Sequence, residues 1–377
     1  MAEVSRHRSF AAGCATQRIL TTEFLAARDF AGRQVCGSRK DVPPPVETHP
    51  VPEDPIRVLF IAGLGRSGST LLDRILGQVP GCCNIGEASQ TWRNITRSVR
   101  CGCGERPQQC PFWTAVIERA FGSWDRFDAP GIFAMQRAVD RTRFLPLLMG
   151  PYQPAPFAAR LAGYSEQLAS FYRAVAAVSG ASVIVDSGKH TSTAYLLRHV
   201  PGVDLRVVHL VRDPRGVAYS WSKDVRKSPY GDAGQMDRLR PGATARGWLV
   251  HNLLLSGLPL AGIPSLLLRY EDFVAAPLQG LRDLASFVGL PAESAKVPLV
   301  NDSAVDFAEP DHTLAGNPLR FHFGKVPIRA DEAWRNELRP RDRRLVEILT
   351  APLLLAYGYT HSRPWGDERV HRTQRIG

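Results

Sequence analysis

The chain has 377 residues, 44% of them apolar, and a formal net charge of +11. That size and apolar content suit one large α/β domain with its own core, with or without insertions. The positive charge is dispersed, with no arginine-rich arm to follow a phosphate backbone, so nucleic acid is not an expected partner; no apolar stretch nears the ~20 residues that span a bilayer.

Taken in chain order, residues 1–52 read as a disordered extension that ends in a proline-rich linker, Val42 to Pro52, with a short helix near Thr21 to Asp29. Phe10 to Cys14 is too short for a secretory apolar core, and Arg18 and Glu23 interrupt the apolar residues after it, so the expected location is cytoplasmic. Next comes RVLFIAGLGRSGSTLL, residues 57–72. Val58 to Ala62 predicts a strand buried on both faces, and Leu71 to Gln78 a helix. Between them lie Gly63, Gly65, Arg66, Ser67, Gly68, Ser69 and Thr70. Such a turn aims backbone N–H groups and the positive end of a helix at one point, which suits phosphate or sulfate. Gly63 and Gly68 match the glycines of G-x-x-x-x-G-K-[ST], but Ser69 replaces the lysine and Arg66 supplies a cation earlier in the loop.

Residues 111–178 read as mostly helical, most clearly Phe157 to Val178, where Leu161, Tyr164, Leu168, Phe171, Tyr172 and Val175 share a face. Ser182 to Val185 predicts a strand ending at Asp186-Ser187-Gly188-Lys189, followed by a helix over His190 to His199. Leu205 to Val211 is the second strong strand, then a helix over Arg215 to Val225. A helix over Thr244 to Ser256, a strand over Ser265 to Arg269 and helices over Asp272 to Val288 and Pro340 to Leu355 complete the pattern. The fold class is therefore α/β: a P-loop-like three-layer fold with a mostly parallel central sheet and a helical insertion at about 88–180. The polar segments 63–70, 186–190, 212–220 and 270–272 follow strands, so they are expected on one rim, where such sheets bind ligands. Arg212 leaves its strand, and Ser220 lies eight residues on, on the following helix; together they can grip a second phosphate.

Seven cysteines make no even disulfide framework. Cys101, Cys103 and Cys110 lie in CGCGERPQQCPFW, with Cys82 and Cys83 upstream. Four thiolates could hold zinc, but C-x-C-x6-C is not a standard finger spacing, and the favoured expectation is a reduced, glycine-rich surface loop or an occasional disulfide, ahead of metal.

R-S-G-S-T-L-L after one strand and L-V-R-D-P-R-(x)4-S after another resemble the two binding segments of the sulfotransferases that use 3′-phosphoadenosine 5′-phosphosulfate (PAPS). In that family the first grips the 5′-phosphosulfate and the second the 3′-phosphate. DSGKH (186–190), RYEDF (269–273), GNPLRF (316–321), DEAW (331–334) and the cysteine loop ending in CPFW resemble the bacterial branch, so that the likeness runs from about residue 56 to 360. It implies a sulfotransferase domain over 53–362, its insert facing the acceptor, and a tail at 363–377.

The resemblance also implies roles. Arg66, Ser67, Gly68, Ser69, Thr70, Arg212, Ser220, Tyr270 and Arg320 would bind PAPS. Glu87, in NIGE and 21 residues after Arg66, looks like the catalytic glutamate of the tyrosylprotein sulfotransferases. It would take the acceptor's proton, while Lys189 and Arg66 steady the sulfuryl oxygens. His190 and His209 are weaker bases, and His209, inside an apolar strand, reads as core. Where the tyrosylprotein enzymes carry lysine before tryptophan, this chain has Ala333 before Trp334, and Arg320, Lys325 or Arg329 would compensate. No metal is required, because PAPS has no β- and γ-phosphates to bridge. The expected acceptor is a hydroxyl of a small molecule, lipid or carbohydrate, and a homodimer is compatible with the fold. The rival readings are a P-loop kinase-like protein, which needs lysine at position 69 and a carboxylate for magnesium, such as Asp213, and a non-catalytic nucleotide-binding protein. Trp113, Phe121, Trp124, Phe127 and Tyr152 of the insert read either as an acceptor pocket or as core.

Overall fold

The computed structural model describes residues 55–225, 229–230, 236–295, 299–301 and 303–359. The extension expected at 1–52 and the tail at 363–377 lie outside the described residues, as do Cys14 and Cys36. Strand β1 (Ile56–Ala62) is apolar almost throughout because both its faces are covered. Val58, Phe60 and Ala62 enter one core, and Leu59 and Ile61 the other. β2 (Cys82–Asn84), β3 (Val183–Lys189), β4 (Val203–Val211) and β5 (Ser265–Arg269) complete a sheet in the order β2-β3-β1-β4-β5. Every neighbouring pair in it is parallel. The architecture is the expected α/β one in three layers, with the central sheet parallel throughout.

Helix α1 (Ser69–Leu76) follows the first loop, with Gly68 left-handed (φ 93°) at its N-cap. The inserted helices are α2 (Ala88–Thr96), α3 (Pro111–Phe121), α4 (Ala129–Val139), α5 (Leu145–Met149) and α6 (Ala155–Ser179). Prolines in the first turns of α3, α4 and α6 sit where a missing N–H costs nothing, and Asp128 caps α4 by accepting from Gly131 N at 2.9 Å. Most of the aromatic residues weighed as an acceptor pocket are packing. Trp113 is fully buried and stacks on Phe171, with centroids 6.0 Å apart; Phe121 and Phe127 stack at 4.7 Å beside Trp92. Trp124 packs edge-on against Phe127, whereas Tyr152 is exposed.

Several expectations need correction. Asp186-Ser187-Gly188-Lys189 does not follow a strand but forms the end of β3. The helix expected over 272–288 is two, α10 (Tyr270–Ala275) and α11 (Pro277–Phe287). Pro277 has no N–H and disfavours helical geometry in the residue before it, and Ala276 accordingly sits at φ −141°, ψ 67°. The short β2 was not expected, nor was the antiparallel sheet of β6 (Leu299–Asn301), β7 (Ala304–Phe307) and β8 (Gly324–Pro327). The other helices are α7 (Thr191–Leu196), α8 (Pro214–Ser222), α9 (Pro241–Leu255), α12 (Trp334–Glu337) and α13 (Pro340–Ala356). No helix among the described residues is long and apolar enough to cross a membrane.

Parallel pairing sets the site. The C-terminal ends of β1, β3, β4 and β5 share one rim, and β1 lies between β3 and β4. The chain thus passes from one side of β1 to the other between β3 and β4, which opens a crevice beyond their ends.

Candidate functional site

The loop after β1 is held by its neighbours on the rim. Gly63 N donates to Lys189 O at 3.2 Å. A Cβ on Gly63 would lie 2.3 Å from Leu210 O of β4, and one on Gly68 2.5 Å from the Tyr270 ring. Trp221 Nε1 donates to Gly65 O at 2.9 Å. Arg66 then adopts a left-handed backbone, φ 75°, that turns its carbonyl toward Arg212, whose Nη1 donates to it at 2.9 Å.

The Arg66 side chain is left without a protein counterpart at its buried nitrogens. Among the described residues Nε and Nη2 have no hydrogen-bond partner, and the guanidinium stands 5.4 Å over the Trp221 ring. Burial, and secondarily Arg212, lower its pKa. An uncompensated buried charge costs several kcal/mol, so this arrangement favours a bound anion. Arg212 lies beside it, 4.8 Å over the Tyr270 ring, with Nη2 donating to Asp331 O at 3.2 Å and 3.5 Å from Asp331 Oδ2. Lys223 Nζ is 3.7 Å from that same carboxylate oxygen, and Tyr270 donates its hydroxyl to Arg329 O at 3.1 Å. Ser220 is half-buried on α8, one turn before Lys223. Ser67, Ser69 and Thr70 are buried, and Thr70 Oγ1 accepts from Asn317 N at 3.2 Å.

Across the crevice Lys189 donates to Glu87 Oε1 in a partly buried ion pair. Lys189 is itself left-handed, φ 65°; among the described residues Arg66, Ser98 and Lys189 are the non-glycines with positive φ. Such strain costs about 1–3 kcal/mol per residue and gathers at functional sites. Two of these three residues, Arg66 and Lys189, are cations on the rim. Asp186, buried in β3, positions the pair. Its carboxylate accepts from Ala88 N (3.2 Å) and Gly188 N (2.8 Å), the residues adjoining Glu87 and Lys189, and from Tyr172 Oη (2.6 Å). Burial outweighs these bonds and pushes its pKa up to about 6.

Not every expected residue joins the crevice. Arg320 is 2% exposed, and its Nη1 donates to Arg100 O (2.9 Å) and Thr313 O (2.7 Å). It braces the chain at 311–320, and the part of this segment that meets the loop is the Asn317 backbone. His209 is core, as expected: Nε2 meets Asn252 Oδ1 at 2.8 Å, and burial lowers its pKa to about 4. His190 is exposed at the start of α7. Asp213, the carboxylate a magnesium-using rival would need, is engaged by Arg215 Nη2 at 2.7 Å and caps α8 through Arg215 N at 2.8 Å. Sequence reasoning missed Trp221, Lys223, Asp186 and Asp331. The first two stand within SWSK, directly after the Ser220 that it did select.

The cysteine segment is not the expected surface loop. Cys101 and Cys110 are fully buried, and with Cys103 they gather around His312 of a distant segment. Cys103 and Cys110 Sγ lie 3.7 Å apart, Cys110 and Cys101 Sγ 3.8 Å, and His312 Nδ1 is 3.3 Å from Cys110 and 3.8 Å from Cys101. Burial lowers the His312 pKa, but the contacts with Cys103 and Cys110 outweigh it and push the value up to about 9. Cys82 and Cys83 stay on β2, outside this group, with burial raising their thiols to about 12 and 11.

Comparison with known proteins gives the chain its relatives. Residues 58–294 match the family described as "Sulfotransferase family". Carbohydrate sulfotransferase 7 of Mus musculus is 31% identical over 218 residues, 47% of this chain and 43% of that protein. Carbohydrate sulfotransferase 3 of Homo sapiens is 28% identical over 176 residues, 43% of this chain and 35% of that protein. The match thus spans less than half the length of these curated relatives. A solved structure, the sulfotransferase domain from the Synechococcus PCC 7002 olefin synthase, aligns over 84% of this chain and 98% of its own at 19% identity, with a TM-score of 0.42.

Proposed function

This chain belongs to the sulfotransferase family, and from that premise we propose that it transfers the sulfuryl group of PAPS to a hydroxyl of a carbohydrate. The observation that carries the donor assignment is the buried, unpartnered edge of Arg66 beside Arg212. PAPS is a substrate here, and it offers two anionic ends to two cationic stations. The 5′-phosphosulfate fits the loop amides, Ser69, Thr70 and Arg66; the 3′-phosphate fits Arg212, Ser220 and Lys223, where it competes with the Asp331 carboxylate. Tyr270, packed on Gly68 and under Arg212, adds an aromatic face at the same rim.

The reaction is an in-line displacement. The acceptor oxygen forms a bond to sulfur as the bond from sulfur to the 5′-phosphate oxygen breaks; Glu87 takes the hydroxyl proton, and the electron pair leaves on the phosphate. Arg66 and Lys189 stabilise charge on the transferring oxygens and the leaving phosphate. The Glu87–Lys189 ion pair sets the base beside a charge-stabilising cation, and Asp186 fixes both through the neighbouring amides. The carbohydrate acceptor is supported by the names of the curated relatives, carbohydrate sulfotransferases 7 and 3.

The test is incubation with sulfur-labelled PAPS and parallel panels of carbohydrates, lipid alcohols and tyrosyl peptides. Label is expected on a carbohydrate. Transfer confined to lipids or peptides would overturn the acceptor. The Glu87→Gln variant should lose about 10²–10⁴-fold in turnover while keeping its thermal stabilisation by PAPS; full turnover in that variant would remove Glu87 as the base.

A further inference from the structure

The four side chains at the cysteine corner come from two segments about 200 residues apart in sequence, Cys101–Cys110 and His312. Their ligand atoms all lie within 4.8 Å of one another. A tetrahedral zinc ion, with Zn–S about 2.3 Å and Zn–N about 2.0–2.1 Å, needs sulfurs about 3.8 Å apart and sulfur to nitrogen about 3.5 Å. Two of the three sulfur–sulfur spacings are 3.7 and 3.8 Å, and two of the three from sulfur to Nδ1 are 3.3 and 3.8 Å. A disulfide would need sulfurs at about 2.05 Å, and all three cysteines are free.

We propose that Cys101, Cys103, Cys110 and His312 bind a structural zinc ion. Three soft sulfurs and an imidazole favour zinc over the hard cations, which take oxygen ligands. Four protein ligands fill every position, so the ion holds no water for catalysis. The surroundings are built to match. Cys110 is the N-cap of α3, whose positive end favours thiolate. The Phe112 ring stacks on the His312 imidazole, centroids 4.8 Å apart and planes within 9°. Trp113 Nε1 fixes the His312 carbonyl at 2.7 Å, and Gly102 N donates to Thr313 O at 2.8 Å. These contacts orient the ligating ring and sulfurs before the ion arrives.

The zinc would staple the insert to the segment that reaches the anion loop. Asp311, one residue before the ligating histidine, accepts from Arg74 of α1 at 2.7 Å, and Asn317 N donates to Thr70 Oγ1. Losing the ion would loosen that brace without removing any group proposed to touch PAPS.

The experiment uses the full chain, purified under reducing conditions without added metal or chelator. Elemental analysis is expected to find equimolar zinc, released by a thiol-specific mercurial. Replacement by cobalt(II) should give thiolate-to-cobalt charge transfer and the visible bands of a tetrahedral ion. Cys103→Ser and His312→Ala should each lose at least about tenfold in zinc affinity, whereas Cys82→Ser should match the wild type. Zinc that stays at trace level after reconstitution would overturn the proposal, as would an octahedral cobalt spectrum or wild-type affinity in Cys103→Ser. The cobalt spectrum is read on the unmutated chain, so failure of a variant to fold leaves the proposal open to refutation.

Discussion

At the rim, the guanidiniums of Arg66 and Arg212 share a crevice, and buried nitrogens of Arg66 have no hydrogen-bond partner among the described residues. At the cysteine corner, three sulfurs and an imidazole nitrogen lie within 4.8 Å of one another. The ligands proposed for the two regions are opposite in charge: an anion at the rim and a cation at the corner. They also differ in how they are held. The rim rests on a left-handed turn and two aromatic rings, whereas the corner gathers the buried Cys101 and Cys110 and the half-buried Cys103 and His312 beside Phe112 and Trp113. The 311–317 segment joins them, through Arg74 and Thr70 on one side and His312 on the other.

The strongest way to break this contrast is to remove the unpartnered cation. Arg66→Ala should lose about 10²–10³-fold in turnover, together with most of the thermal shift caused by the product 3′-phosphoadenosine 5′-phosphate (PAP). The variant should itself be no less stable than the wild type in the absence of ligand, because it relieves a partly buried charge whose Nε and Nη2 have no hydrogen-bond partner among the described residues. A variant that unfolds yet binds PAP as the wild type does would show the guanidinium to be structural.

A buried polar group that is balanced provides the control. His209, held neutral at about 4 and paired with Asn252, has a folded pKa below its free value near 6.5. Its contribution is therefore present above pH 6.5 and is lost as pH falls toward 4. His209→Gln does not titrate, so relative to the wild type it should gain about 3 kcal/mol between pH 6.5 and 4, measured by urea unfolding at the two pH values. A constant difference would mean that His209 is not held neutral by burial.

The link between the two regions can be tested separately. Stripping metal, or Cys103→Ser, should lower Tm by several degrees and weaken PAP by roughly threefold to tenfold, since the brace on Thr70 loosens while the cations stay. Metal removal that leaves both quantities unchanged would uncouple corner from rim. The smallest effect is expected at Asp331, a part-exposed carboxylate facing Arg212 and Lys223. Asp331→Asn should tighten PAP by about twofold to fivefold, measured by calorimetry, because it removes a competing anion worth under ~1 kcal/mol. Weaker binding would make Asp331 an organiser of the site instead of a competitor.

Contiguity in the chain decided which features could be read from sequence. The rim was legible because strand, glycines, arginine and hydroxyls run together in 57–72, and because alternating buried strands imply parallel pairing and a shared edge. His312 was not legible as a partner of Cys110, since nothing local ties residues about 200 apart. Arg320 was assigned to the ligand by resemblance, and only packing shows its guanidinium turned to the carbonyls of Arg100 and Thr313. The split of the 272–288 helix was written at Pro277. β2 and β6–β8 carry three or four residues each, too few for an alternating pattern to stand out.

The central claim is that the rim is a cradle for a 3′-phosphorylated nucleotide, and thermal unfolding with PAP, AMP and ATP plus magnesium tests it most directly. PAP should raise Tm by several degrees, AMP by much less, and ATP with magnesium no more than AMP. Stabilisation by ATP with magnesium and none by PAP would contradict it.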